Sequence, residues 1–139
     1  QQAQAHLQAA LGWLDPALQK HPEDRATLLA ALDARLLLAK LQGDPEARAQ
    51  RERCLAAIDA VENGANDPRL LALRVDALLS LGRPLEAKPV IDTLRASGYR
   101  DPAFIRVLQQ ARIDYPPNAR VQQQIQAALS AATNSATLR

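Results

Sequence analysis

The sequence has little of several things, and each shortage removes a class of protein. Aromatic residues make up only 3% of the 139 residues (Trp13, Tyr99, Phe104 and Tyr115). The 47% hydrophobic content is mostly Leu and Ala. These are strong helix formers, whereas strands favour aromatic and β-branched residues, so the composition points to helix. Cys54 is the single cysteine, which excludes an internal disulfide. With only two histidines, His6 and His21, fifteen positions apart, no set of zinc ligands is spaced as a metal site requires. Long apolar runs are missing too. Leu36 to Ala39 is far short of the roughly 20 residues that cross a bilayer, so no membrane insertion is expected. No segment reads as a retained signal peptide. Methionine is absent and residue 1 is Gln, which reads as a processed form or a segment cut from a larger parent.

Charge of one sign is also lacking. Seventeen basic and fifteen acidic residues are spread along the chain, for a net charge of +2. Nucleic-acid binders carry a basic stripe or cluster, and none is visible. Phosphate-cradling glycine loops, the GxSxG nucleophile turn and the HExxH zinc motif are all missing. Asp92, Asp101 and Asp114 are isolated, with the pattern of caps or surface residues, and no carboxylate pair is placed for acid–base work. Cys54, followed at helical spacing by Ile58 and Val61, reads as a small buried apolar residue, and no base is positioned to make it a nucleophile. The expectation is a non-enzyme with no cofactor and no metal.

Glycine is scarce, and it falls with proline at intervals along the chain. Breaks at Asp15-Pro16, His21-Pro22, Gly43-Asp44-Pro45, Gly64 to Pro68, Gly82-Arg83-Pro84, Gly98 to Pro102 and Pro116-Pro117-Asn118 separate stretches with helical apolar spacing. Asp before Pro is a good helix start, because the Asp side chain caps free N–H groups and Pro lacks the N–H that would be orphaned. Gly after the last apolar residue is a good stop. The spacing predicts seven helices, near 2–14, 23–42, 45–62, 68–81, 85–97, 102–114 and 118–132, with 133–139 as a flexible tail. The helix at 23–42 is apolar nearly all round (Leu28, Leu29, Leu32, Leu36, Leu37, Leu38 and Leu41). It should therefore be covered on several sides, by 2–14, 45–62 and 68–81. Trp13 is expected to pack against it, an interface role being the other reading.

Asp67-Pro68 and Asp101-Pro102 stand 34 residues apart, and the apolar positions pair at the same offset. Leu70 pairs with Phe104, Leu71 with Ile105, Leu73 with Val107, Ala77 with Ala111, Ile91 with Ile125 and Leu94 with Ala128. A fixed period with two helices per unit is the mark of a helical repeat, in which stacking neighbours bury a face that one hairpin cannot. The segment Leu78-Leu79-Ser80-Leu81-Gly82-Arg83-Pro84-Leu85-Glu86-Ala87 resembles the turn between the two helices of a tetratricopeptide repeat. Ala111 to Ala119, with Tyr115-Pro116-Pro117-Asn118, is similar to the link between such repeats, although it sets the phase differently from the 34-residue pairing. The resemblance covers roughly 23–132. It implies an all-α superhelical stack of antiparallel hairpins near 23–62, 68–97 and 102–132 after an N-terminal helix, forming one domain over 1–132.

The resemblance also implies a concave face, lined by the first helix of each hairpin, that receives a peptide or partner protein. Mapped by the repeat offset, that face would hold Arg69, Ala72, Asp76 and Ser80, then Ala103, Arg106, Gln110 and Asp114. Asp33, Leu37 and Lys40 are added from the first hairpin. Arg69 and Arg106 would hold carboxylates. The implied function is a protein–protein interaction scaffold, with no nucleic acid. It would be a segment of a larger bacterial protein of envelope assembly, secretion or polysaccharide export, in cytoplasm or periplasm. A regulatory module attached to an enzyme or transcription regulator is the alternative, and a helical-repeat RNA binder a third.

Overall fold

A computed structural model describes residues 2–137, with side chains described as far as residue 133. Among the described residues there are seven α-helices and no strand. The chain divides into two compact units, residues 1–90 and 91–139, with the boundary inside the fifth helix.

The first unit holds α1 (Gln2–Lys20), α2 (Arg25–Leu41), α3 (Glu46–Asp59), a single 3₁₀ turn (Gly64–Asn66), α4 (Pro68–Ser80) and the start of α5 (Pro84–Ala96). Its helix starts follow from local chemistry. The Asp24 carboxylate accepts from the Thr27 N–H and hydroxyl. Asp67 accepts from the Arg69 N–H at 3.0 Å, with Pro68 in the first turn behind it. Helix α2 is the centre of this unit and packs against α1, α3 and α4, the three neighbours its all-round apolar sequence calls for. Leu28, Ala31, Leu32, Ala34, Leu36, Leu38 and Ala39 are all buried. Arg35 is buried among them, its guanidinium paired with Asp15 of α1 and donating to Gln50 of α3 at 3.1 Å. One side chain thus ties three helices together.

Helix α1 does not stop at Asp15-Pro16 but runs through the proline to Lys20. Leu7, Leu11, Leu14 and Leu18 form one stripe on Ala31, Ala34 and Leu38 of α2. The last of these leucines, with the Asp15–Arg35 pair, keeps the chain helical beyond the residue that removes an N–H. Tertiary packing overrides the local signal here.

The second unit holds the end of α5, α6 (Pro102–Gln110) and α7 (Ala119–Thr137). Its core is aromatic. Phe104 lies edge-on between Tyr99 and Tyr115, with ring centroids 5.6 and 5.5 Å away. The Tyr115 hydroxyl donates to the Tyr99 carbonyl at 2.7 Å. Arg100 stacks over the Tyr115 ring at 5.3 Å and donates to its carbonyl. Asn118 clasps two elements, since its amide donates to the Arg95 and Ala96 carbonyls and its oxygen accepts from the Val121 N–H that opens α7.

Helices α4, α5 and α6 end alike, on a left-handed residue followed by a long turn-closing bond. Gly82 and Gly98 take this conformation, as expected, but after α6 it is Arg112. The Ile113 N–H then reaches back to the Leu108 carbonyl at 2.9 Å. This cap ends α6 at Gln110 instead of residue 114. At the other extreme, α7 extends through Thr137, so residues 133–137 are helical where a tail was expected, and 138–139 lie outside the described residues. The 34-residue pairing of buried positions holds in part. Leu70 and Phe104 are both buried, but Ile91 and Leu94 are buried while Ile125 and Ala128 are exposed.

Candidate functional site

Helix α2 is enclosed except along one narrow stripe. Ala26, Ala30, Asp33, Leu37 and Lys40 are exposed at alternating spacings of four and three, with Leu41 beside the last of them, and nearly every other residue of its last four turns is buried. Beside it, α4 turns Arg69, Ala72, Asp76 and Ser80 outward at the same spacing, all partly or fully exposed. The two helices run in the same direction. Arg25, the first residue of α2, donates to Asp67, the N-cap of α4, at 2.6 Å. Further along, Asp76 of α4 lies within electrostatic reach of both Asp33 and Lys40 of α2. The structure thus gathers Asp33, Leu37, Lys40, Ala72, Asp76 and Ser80 onto one face of the first unit.

Burial pushes the Asp76 carboxyl above the usual carboxylate range. Lys40, the Ser80 hydroxyl at 3.4 Å and Arg51 oppose that push without cancelling it, and Asp33 adds to it. Among the described residues Asp33 and Lys40 have no ion-pair partner. The face therefore presents charges of both signs on either side of an exposed leucine.

Arg69 does not serve as expected. Its side chain is held by Asp67, at 3.3 Å from both Nε and Nη2. Asp67 is buried, and burial opposes its ionisation. Hydrogen bonds from Arg69 and Arg25 outweigh that and hold its carboxyl below the usual range. Arg69 is therefore a clamp on a buried carboxylate. Arg83 pairs with Glu52 of α3 at 3.6 Å and also holds Glu86. In the second unit Ala103, Arg106 and Gln110 share the exposed side of α6, opposite Phe104 and Leu108. Asp114 lies past the end of α6, in the segment before α7, and so is not on that helix.

Trp13 is 81% exposed and does not pack against α2. The sequence carried the signal: Leu7, Leu11, Leu14 and Leu18 define the buried side of α1, and position 13 falls well round the helix from all four. Cys54 is fully buried, its sulfur 3.8 Å from the Leu32 carbonyl, and burial pushes its thiol up to about 12. Such a thiol is inert near neutral pH. His6 and His21 are both exposed. No group of His, Cys, Asp and Glu among the described residues could hold a metal ion. No described helix is long and apolar enough to cross a membrane. A separate cleft of about 560 Å³ is walled by Leu18, Pro22, Leu28, Ala57 and Val61, with Glu23 and Glu62 at its edge. No nucleophile–base pair lines it. Set against protein-family models, curated proteins and solved structures, the chain matches none.

Proposed function

We propose that this chain is a protein-interaction module of tetratricopeptide-like design that takes a peptide or partner protein along the α2–α4 face and carries out no chemistry itself. One observation supports the reading above the others. A helix buried on nearly every side leaves open a single stripe of mixed charged and apolar residues, in line with the matching stripe of a parallel neighbour. An apolar anchor with flanking charges suits recognition of a chain segment, since the anchor gives contact area and the charges set orientation and partner choice. Leu37 is the anchor. Asp33, Lys40 and Asp76 are the charges, and the small Ala30 and Ala72 leave room for a partner's backbone. Arg106 and Gln110, on the exposed side of α6, are separate candidates within the second unit.

The test is capture of partners from a lysate of the source organism by wild type and by a Leu37→Asp, Lys40→Glu variant, with a Trp13→Ser variant as control. All three positions are exposed, so folding should survive. A protein held by wild type and by Trp13→Ser, and lost by the α2 variant, supports the reading. Equal retention by all three overturns it.

A further inference from the structure

Helix α7 is built in a way the rest of the chain is not. From Gln122 to Thr133 every described residue is exposed, including Ile125 at 46% and Leu129 at 63%. From Val121 to Thr137 there is not one charged residue. No described ion pair braces this helix; Asn118 caps its start through the Val121 N–H, and further on the Thr133 hydroxyl donates to the Leu129 carbonyl. A helix of this length in water draws most of its stability from packing an amphipathic face. Such a face is present: Ile125, Ala128, Leu129 and Ala132 fall on one side of the helix, spaced three, one and three apart, with Gln123, Gln126 and Ser130 turned away from it and Gln122 at its edge.

We propose that this face is a self-association surface, where α7 packs antiparallel against α7 of a second copy. Two features favour a second copy over an unlike partner. The first is charge: a two-fold contact sets a surface against itself, so any net charge would repel its twin. This face has none, and it offers no charge to select a different partner. The second is the order of side-chain sizes. In an antiparallel pair with its two-fold axis between residues 128 and 129, Ile125 of each copy meets Ala132 of the other, and Leu129 meets Ala128. Large side chains oppose small ones throughout. A parallel pair would set Ala on Ala and leave gaps. Val121 is already turned to its own unit, where its methyl lies beside Gly98, so the contact begins one turn further on.

The contact is short, and specific complexes are stable from about 1,200 Å² of buried surface upward, so the association is weak and depends on concentration. Sedimentation of the full chain at rising concentration should show a monomer–dimer equilibrium below about 1 mM. Leu129→Lys and Ile125→Gln should each weaken it at least ten-fold, with helix content at low concentration unchanged, since both side chains are exposed. For orientation, chains carrying Ile125→Cys and Ala132→Cys are mixed and oxidised. The cross-linked 125–132 pair should form ahead of either self-pair, and the buried native thiol does not compete. A monomer at every concentration overturns the proposal, as does a dimer that survives Leu129→Lys or preferential 125–125 cross-linking. Binding of α7 to neutral lipid vesicles without dimer formation would overturn it in favour of a membrane surface.

Discussion

At the scale of single residues, two aspartates show how burial acts in opposite directions depending on what the carboxylate meets. Asp67 caps α4 and receives two guanidinium groups, which hold its carboxyl below the ordinary range despite burial. Its contribution is therefore present above the unfolded-state value and lost as pH falls through the folded one. Asp67→Ala should cost about 2–4 kcal/mol, from a lost N-cap and lost charged hydrogen bonds. Denaturant titration at neutral pH checks this, and the gap to wild type should close in acid. Asp76 is the reverse case, its carboxyl raised by burial that Lys40 and Ser80 do not fully offset. The ionised form is less at ease in the folded chain than in the unfolded one, so its cost is present above the folded value and vanishes below the unfolded one. Asp76→Asn keeps an acceptor for Ser80. It should raise the melting temperature at pH 7, and the gain should shrink as pH drops through the carboxylate range. An equal gain at every pH would show that packing, not charge, is responsible.

At the scale of helices, the Asp-Pro starts and Gly stops were legible because they depend on near neighbours alone. Asp67-Pro68 and Asp101-Pro102 begin α4 and α6, and Gly82 follows α4. What failed to read through depends on distant contacts. Pro16 signals a break, but Leu18 and Asp15 have partners on α2 that hold the helix together. Pro16→Ala should therefore stabilise the first unit by about 2 kcal/mol, the restored bond being offset in part by a freer unfolded chain. Arg112 gave no stop signal, because a bulky residue rarely takes a left-handed conformation. Arg112→Gly should stabilise by about 1 kcal/mol without changing helix content. The candidate site was half legible. Leu37 and Lys40 share one side of α2, because spacing along a helix is enough to place them, whereas the approach of Asp76 on α4 to Lys40 depends on packing between helices. Arg69 was misread because its partner Asp67 also serves Arg25, 42 residues away, and no local pattern reveals that.

At the scale of the molecule, order is concentrated around α2. Leu32, Leu38 and Ala39 are almost wholly buried, and three helices cover them. Native-state hydrogen exchange should find the slowest amides in α2 and the fastest helical amides in α7 beyond Val121. Protection in α7 should rise with protein concentration. The solitary tryptophan has a practical consequence. Its indole stands in water on α1, away from the leucine stripe by which α1 meets α2. The chain therefore carries an optical reporter that starts out fully hydrated. Its emission should match that of the free amino acid and be freely quenched by acrylamide. A blue shift on adding a ligand would place that ligand against the exposed side of α1, without a label or a mutation.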